Sequence, residues 1–188
     1  MKASRTSSLG YALLGLLQQQ PASGYELRKV FSAAAMKTYS DSPGAIYPAL
    51  ERLEQQGLIH GSVEKGAGLR RRRIFRLTPS GLAELRKWVA RPVTPEELVR
   101  NQEEIFLRFA FSEGVAGPAS ARVVLQSLQA ALKTHLPALR EEFERVQATA
   151  SVSGRLAFAY GIRSYECLLK WTHQAIAAYE KKGKRGAP

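Results

Sequence analysis

The fold of this chain is decided by one stretch, GLIHGSVEKGAGLRRRRIFRLT, which runs from Gly57 to Thr78. Apolar and polar residues alternate on both sides of the turn-like GAGL, and a period of two is typical of β-strands. The same period divides the arginines of the second strand, placing Arg70 and Arg72 on one face and Arg71 and Arg73 on the other. The stretch therefore predicts a two-stranded hairpin whose outgoing strand is basic.

Helical patterns flank this hairpin. Leucines recur at helical spacing over residues 8–19, and Ser23 with Glu26 has the spacing of a capping box that opens a second helix. A third helix should begin at Ser42, carry Ile46, Leu50 and Leu53 towards the core and end at Gly57; a fourth should follow Thr78-Pro79. Three helices, a hairpin and a further helix describe a winged helix-turn-helix over residues 1–92.

The second half, residues 93–188, reads as helix throughout. A capping box at Thr94 and Glu97 predicts a helix over about 95–112, SEGVAGP then breaks it, and Pro137 should kink or split the long helix that follows. Long seams at three- and four-residue spacing favour a partner across a dimer. The predicted dimer interface comprises Leu125, Leu128, Leu132, Phe158, Ile162, Tyr165, Leu169 and Ile176. The expected fold class is mainly α, a winged domain followed by a helical dimerisation domain.

Charge separates the two halves. The net charge is +12, and residues 1–92 carry 15 Lys/Arg against 6 Asp/Glu, whereas residues 93–188 carry 13 against 10. A basic domain joined to a nearly neutral one favours a polyanion as partner. One cysteine excludes an internal disulfide framework, and the short apolar run at the N-terminus favours neither a membrane span nor a leader. A cytoplasmic location is expected.

The winged domain offers a DNA-reading surface. The third helix follows the turn and precedes the wing, which is the position of a recognition helix. Its small N-terminal residues would let the helix approach the DNA backbone closely, and the wing would clamp phosphate or the minor groove without reading bases. The predicted DNA contacts are Ser42, Gly44, Ala45, Tyr47, Pro48, Arg52, Lys65, Arg70, Arg71 and Arg72. Among the wing arginines we favour Arg70 and Arg72 over Arg71, and place Arg73 last.

Three segments carry a resemblance to a known family. LGYALLGLLQQQPASGYELRKVF, SPGAIYPALERLEQQGLI and RRRRIFRLTPSGLAELRKW resemble the PadR family of transcriptional regulators, and the second half resembles its branch with the larger helical C-terminal domain. The resemblance implies a dimeric bacterial repressor whose C-terminal helices exchange contacts between protomers. It also implies that a small aromatic molecule could release the DNA. The wing holds more arginines than the family pattern.

Other chemistry has little support in the sequence. No histidine and cysteine spacing suits zinc, and no nucleophile elbow, P-loop or dinucleotide motif is present, so no metal, cofactor or catalytic residue is predicted. Five aromatic residues are candidates for an effector pocket between the domains, with plain core packing as the alternative: Trp88, Phe106, Phe109, Tyr160 and Trp171.

Two functions from different classes remain open at this point. The first is a homodimeric, DNA-binding transcriptional repressor on an inverted repeat, since two-fold protein symmetry would match operator symmetry. The second is a protein-interaction or architectural module whose winged domain holds a partner. An enzyme ranks third because no catalytic constellation is present.

Overall fold

The computed structural model describes residues 6–32, 43–65 and 71–185. They form two compact units. The first comprises residues 1–89 together with 111–116, and the second comprises 90–110 together with 117–188. The predicted single boundary at 92/93 therefore differs from the observed division, because a six-residue segment beyond that point folds with the first unit.

The first unit contains the predicted helices and hairpin. The predicted leucines of the first helix, together with Ile46, Leu50 and Leu53 of the recognition helix, are buried or nearly so. Because these residues recur at helical spacing, each helix turns one apolar stripe towards a shared core. The helices are α1 Ser8–Gln19, α2 Gly24–Ser32, α3 Pro43–Gln55 and α4 Pro79–Val89, and the strands are β1 Ala22–Ser23, β2 Ile59–Lys65 and β3 Arg71–Leu77.

The hairpin is confirmed, and it belongs to a three-stranded antiparallel sheet in the order β1-β3-β2. In the hairpin, Ile59 lies opposite Leu77 and Lys65 opposite Arg71. The additional strand is β1, where Ala22 pairs with Phe75. Since β3 is the central strand, Ile74 and Phe75 are both buried although they point to opposite faces.

Local signals for the helix ends are confirmed. The Ser23 hydroxyl accepts a hydrogen bond from the Glu26 amide at 3.3 Å, and the Glu26 carboxylate accepts one from the Ser23 amide at 2.7 Å, which completes a capping box. Gly57 ends α3 with φ 71°, a conformation in which glycine lacks the steric penalty of other residues. The turn over 66–69 and the start of α3 at Ser42 lie outside the described residues.

The second unit is helical, with different breaks from those expected. Its elements are α5 Pro95–Arg100, α6 Gln102–Val146 and α7 Val152–Arg185. The predicted helix over 95–112 is interrupted at Asn101, and SEGVA stays helical, so the non-helical residue is Gly117 with φ 81° and ψ 174°. The backbone keeps helical angles through Pro137. We attribute the misplaced break to Gly117, which alone in that stretch adopts an angle that other residues disfavour.

The segment 111–116 completes the first unit. The ring of Phe111 lies so close to Gly15 that a Cβ added to the glycine would be 2.7 Å from it. The Gln18 side-chain amide donates a hydrogen bond to the Gly114 carbonyl at 3.2 Å. Both partners belong to α1, so this part of α6 extends the core of the winged domain.

Part of the predicted dimer interface lies in the apolar core of the second unit. Leu128 and Leu132 are 1% and 0% exposed within the single chain, packed with Leu98 and Ile105, and Leu125 is also fully buried. These three leucines are therefore core residues and present no surface to a second protomer. The predicted residues of α7 are more exposed, with Ile162 buried and the others half-buried: Phe158, Tyr165, Leu169 and Ile176.

Candidate nucleic-acid interface

The outward face of α3 has the character expected of a recognition helix. Gly44, Pro48 and Arg52 are exposed, Tyr47 is 46% exposed and Ala45 is half-buried. The small residues at the start of the helix leave its backbone open to approach by a large ligand. A side chain at this end that extended further would hold a DNA backbone away.

Tyr47 is set in place by a glycine of the neighbouring helix. A Cβ added to Gly24 would lie 2.6 Å from the Tyr47 ring, which is closer than a real contact permits. Gly24 opens α2, so the ring of Tyr47 packs on the start of that helix and remains half-exposed. The glycine at this position therefore determines where the phenolic hydroxyl stands.

A groove of about 840 Å³ runs beside Tyr47 and joins the recognition helix to the wing. Its lining includes apolar side chains and charges of both signs. It is lined by the end of β1, the start of α2, α3 and β3: Ser23, Gly24, Tyr25, Glu26, Tyr47, Leu50, Glu51, Arg71, Arg72, Arg73 and Phe75. Arg52 faces elsewhere, on a smaller groove beside Ser7 and Gly10. Three predicted contacts, Tyr47, Arg71 and Arg72, are thus brought together.

The arginines of β3 differ in what holds them. Arg73 is fixed most firmly, since one of its guanidinium nitrogens lies 2.7 and 2.9 Å from the two carboxylate oxygens of Glu54 on α3. The same carboxylate accepts a hydrogen bond from the Gly61 amide on β2 at 2.9 Å. A side chain at position 61 would collide with this cluster. Glu54 therefore fastens the base of the wing to the recognition helix.

Two further arginines of β3, Arg72 and Arg76, contact glutamates that are more exposed than Glu54. Arg72 lies 3.3 Å from Glu26, and Arg76 lies 2.6 Å from Glu64. Arg76 lowers the pKa of Glu64 by donating a hydrogen bond to its carboxylate. Arg71 is exposed and forms no salt bridge with an acidic side chain in the described ranges. Among the described arginines of β3, Arg71 is the one whose charge is not already compensated.

Three predicted DNA contacts cannot be placed. Ser42 and Arg70 lie outside the described residues, as does the side chain of Lys65, whose backbone pairs with Arg71. Tyr25 and Glu26 line the groove, and the sequence analysis did not assign them there. The signal was present, because the capping box puts both residues in the first turn of α2, but the proximity of α2 to β3 comes from the unpredicted strand β1.

The predicted effector residues separate into different surroundings. In the second unit, the Trp171 ring meets Phe106 and Phe109 edge-on at centroid distances of 5.5 and 5.7 Å. Trp88 belongs to the first unit, where it is 2% exposed and stacks on Tyr11 at 4.4 Å. Tyr160 is 74% exposed. Of the five predicted effector residues, Phe106, Phe109 and Trp171 form one ring cluster. Trp88 is buried in the first unit and Tyr160 faces solvent, so neither belongs to this cluster.

The second unit also contains a buried ionic cluster that the sequence analysis missed. Arg108 is fully buried and donates to Glu97 at 3.0 Å, and Arg91 also contacts this carboxylate. Burial by itself raises the pKa of Glu97, but the hydrogen bond and charge of Arg108, the hydrogen bond from the Thr94 amide and the charge of Arg91 together lower it overall. The capping box marked Glu97 in the sequence, yet nothing there marked Arg108 as buried.

No three His, Cys, Asp or Glu side chains within residues 6–32, 43–65 and 71–185 lie close enough together to hold a metal ion. No helix in those ranges has the length and apolar character needed to cross a bilayer.

A three-helix core, a paired wing and an exposed helix face beside an uncompensated arginine together define a class. That class is the winged helix-turn-helix domain with a basic face, an architecture that DNA-binding regulators use.

Comparison with known proteins finds its likeness in the winged domain. Residues 13–87 match the model of the Transcriptional regulator PadR-like family, so this part of the chain is similar to that family. The Negative transcriptional regulator PadR of Bacillus subtilis is 28% identical over 142 residues, which is 76% of each chain. The Probable transcriptional regulator Rv1176c of Mycobacterium tuberculosis is 24% identical over 188 residues, covering 93% of this chain and 99% of the relative.

Solved structures of similar fold include two from Bacillus. Bacillus subtilis PadR in complex with operator DNA is 23% identical, with a TM-score of 0.45 and coverage of 92% of this chain and 99% of that chain. The PadR-like transcriptional regulator BC1756 from Bacillus cereus is 21% identical, with a TM-score of 0.40 and coverage of 93% and 99%.

Proposed function

We propose that this protein is a homodimeric repressor that binds an inverted-repeat operator through α3 and the wing of each protomer. The observation that carries the proposal is the groove in which Tyr47 of α3 and Arg71 of β3 meet. One groove thus joins the helix that would enter the major groove to the strand that would follow the phosphate backbone. Neither residue has an acidic partner among the described residues that would compete with DNA.

The surface divides into a reading part and a positioning part. The start of α3, with Gly44 and Ala45, approaches the base edges, and Tyr47 donates its hydroxyl to a phosphate. Arg71 neutralises phosphate without reading sequence, and the sequence pattern predicts the same role for Arg70. This assignment changes the order expected from the sequence, because Arg72 already has a partner in Glu26.

Dimerisation in this proposal uses residues 93–188, and within them α7. Leu156 and Tyr160 are 66% and 74% exposed on this helix, and Tyr165, Leu169 and Ile176 remain half-buried. Leu156 and Tyr160 lie one helical turn apart, and large apolar side chains this exposed favour a second copy of the helix as their cover. The buried leucines of α6 support that surface from within. As a DNA-binding regulator of bacterial type, the protein would work in the cytoplasm and catalyse no reaction.

A gel shift at rising salt tests the function. The probe is a palindrome from the promoter beside the protein's own gene, compared with random duplex of the same length. We expect the palindrome to bind at least a hundredfold more tightly, with two chains per duplex, since specific binding typically exceeds non-specific binding by about 10³ or more. Equal affinity for both duplexes would contradict the proposal and favour the protein-interaction module.

A small aromatic effector is the second part of the proposal. It is supported by the edge-on contacts of Phe106 and Phe109 with Trp171, which offer ring faces for stacking. A panel of small aromatic acids should quench tryptophan fluorescence and release the palindrome. Trp171→Phe should abolish the quenching, whereas Trp88→Phe should retain it. Quenching that persists in Trp171→Phe would move the effector site away from this cluster.

A further inference from the structure

The groove beside α3 contains a carboxylate whose two oxygens have different partners. Oε2 of Glu26 accepts hydrogen bonds from the Ser23 amide and the Ser23 hydroxyl, both at 2.7 Å. Oε1 of the same residue accepts one from the Arg72 guanidinium at 3.3 Å. A single side chain therefore caps α2 and holds an arginine of the wing.

The cap keeps this negative charge in the groove. If the Glu26 side chain turned away, the Ser23 amide would lose the acceptor that completes the capping box. The hydrogen bonds from the Ser23 amide and then the Ser23 hydroxyl lower the pKa of Glu26, and the charge of Arg72 lowers it further. Glu26 is therefore an ionised, anchored group that lies, with Glu51, beside the three arginines of the groove.

The contact between Glu26 and Arg72 is much looser than the neighbouring contact between Glu54 and Arg73. Arg73 reaches both oxygens of Glu54, whose side chain is 26% exposed. Arg72 reaches one oxygen of Glu26, and the two side chains are 56% and 47% exposed. An exposed single contact contributes little stability, so a phosphate can replace the carboxylate at small cost.

We propose that Glu26 is a positioning residue for DNA binding, which holds Arg72 in the groove of the free protein and yields it to a backbone phosphate in the complex. This inference rests on the proposed function. Because a phosphate contact carries no sequence information, the competition by Glu26 weakens attraction to every duplex by the same factor. Glu26 thus lowers the general affinity of the wing and leaves the ratio between operator and random DNA unchanged.

The test is a double-mutant cycle between Glu26→Gln and Arg72→Gln. Glutamine also serves at this capping position, so Glu26→Gln removes the charge and keeps the start of α2. We expect Glu26→Gln to tighten binding about two- to fivefold on both palindrome and random duplex, the range of one exposed ion pair. In the Arg72→Gln background the same change should have no effect.

The matched control is Glu96→Gln, which removes the exposed partner of Arg100 in the second unit. It should leave binding unchanged, and the melting temperatures of all variants confirm that each is folded. The inference is overturned if Glu26→Gln leaves the affinity unchanged, or if the gain persists without Arg72. If palindrome and random duplex bound equally, the proposed function would be contradicted but this inference would not. The double-mutant cycle can still be measured on the random duplex.

Discussion

The arginine–glutamate pairs of the wing and the Arg108–Glu97 pair of the second unit lie in opposite surroundings. On the wing, the side chains of Arg72 and Arg76 are 56% and 45% exposed beside their glutamates. In the second unit, Arg108 is 0% exposed and Glu97 14%. Water and salt screen the wing pairs, whereas the buried pair lacks that screening, and Arg108 Nε has no hydrogen-bond partner within the described residues.

The difference separates charges that fold the chain from charges that serve a ligand. Removing one partner of a buried pair leaves an uncompensated charge in an apolar core. Removing one partner of an exposed pair frees a charge that water or phosphate can take over. The two networks should therefore respond to different measurements, unfolding for one and DNA binding for the other.

The largest effect is expected at the buried pair. Glu97→Gln leaves Arg108 charged and buried, so the free energy of unfolding should fall by about 3–5 kcal/mol. In the double variant Glu97→Gln with Arg108→Met, much of this loss should be recovered because no buried charge remains. Urea unfolding of the three proteins measures both changes. A loss below about 1 kcal/mol in the single variant would show that this pair contributes no more to stability than an exposed pair.

Acid should remove the contribution of the same pair. The pKa of Glu97 in the folded chain lies below its ordinary value of 4.5. Its stabilisation is therefore fully present above 4.5 and is lost as the pH falls from there through the folded pKa. The stability of the natural protein should fall more steeply in this range than that of the double variant, and parallel curves would contradict the assignment.

Arg71 should matter for DNA and not for stability. Arg71→Gln removes one uncompensated phosphate contact, which at about 0.15 M salt corresponds to roughly a fivefold loss of affinity and a salt slope shallower by about one. The loss should be equal on palindrome and random duplex. Arg76→Gln is the control, since Arg76 is held by Glu64. A sequence-dependent loss would mean that Arg71 reads bases.

The smallest expected effect concerns the base of the wing. Glu54→Gln removes the charge that Arg73 contacts, and we expect a loss of about 1 kcal/mol in the free energy of unfolding. The Gly61 amide, which donates to this carboxylate, should then exchange its hydrogen faster. Glu64→Gln provides the comparison at Arg76. Unchanged protection of Gly61 would show that the strands alone hold the wing in place.

The sequence predicted those features of the fold that depend on neighbours in the chain. Ser23 with Glu26 and Thr94 with Glu97 gave correct helix starts, since a capping box needs only four consecutive residues. Ile46, Leu50 and Leu53 gave the correct core face of α3. The break in α6 was placed too early, because the glycines of SEGVAGP look alike in sequence and only Gly117 takes the positive φ.

Contacts distant in sequence were beyond prediction. The two residues of β1 are too few for a periodic signal, yet they bring α2 to β3 and Glu26 to Arg72. The ranking of the wing arginines used only the two faces of a strand, so it could not include the contact of Arg72 with Glu26. Similarly, Leu125, Leu128 and Leu132 show a helical stripe in sequence, and the stripe does not say whether its partner belongs to the same chain.

Residues 111–116 belong to the first unit, and this matters for any attempt to divide the protein into fragments. A fragment that ends at residue 92 would lack Phe111, which lies against Gly15, and Gly114, whose carbonyl accepts from Gln18. The winged domain is thus interleaved with its neighbour along the chain, and no single cut releases it whole. Recombination that exchanges one half for that of a relative would have to preserve this six-residue insert, or provide another ring to cover α1.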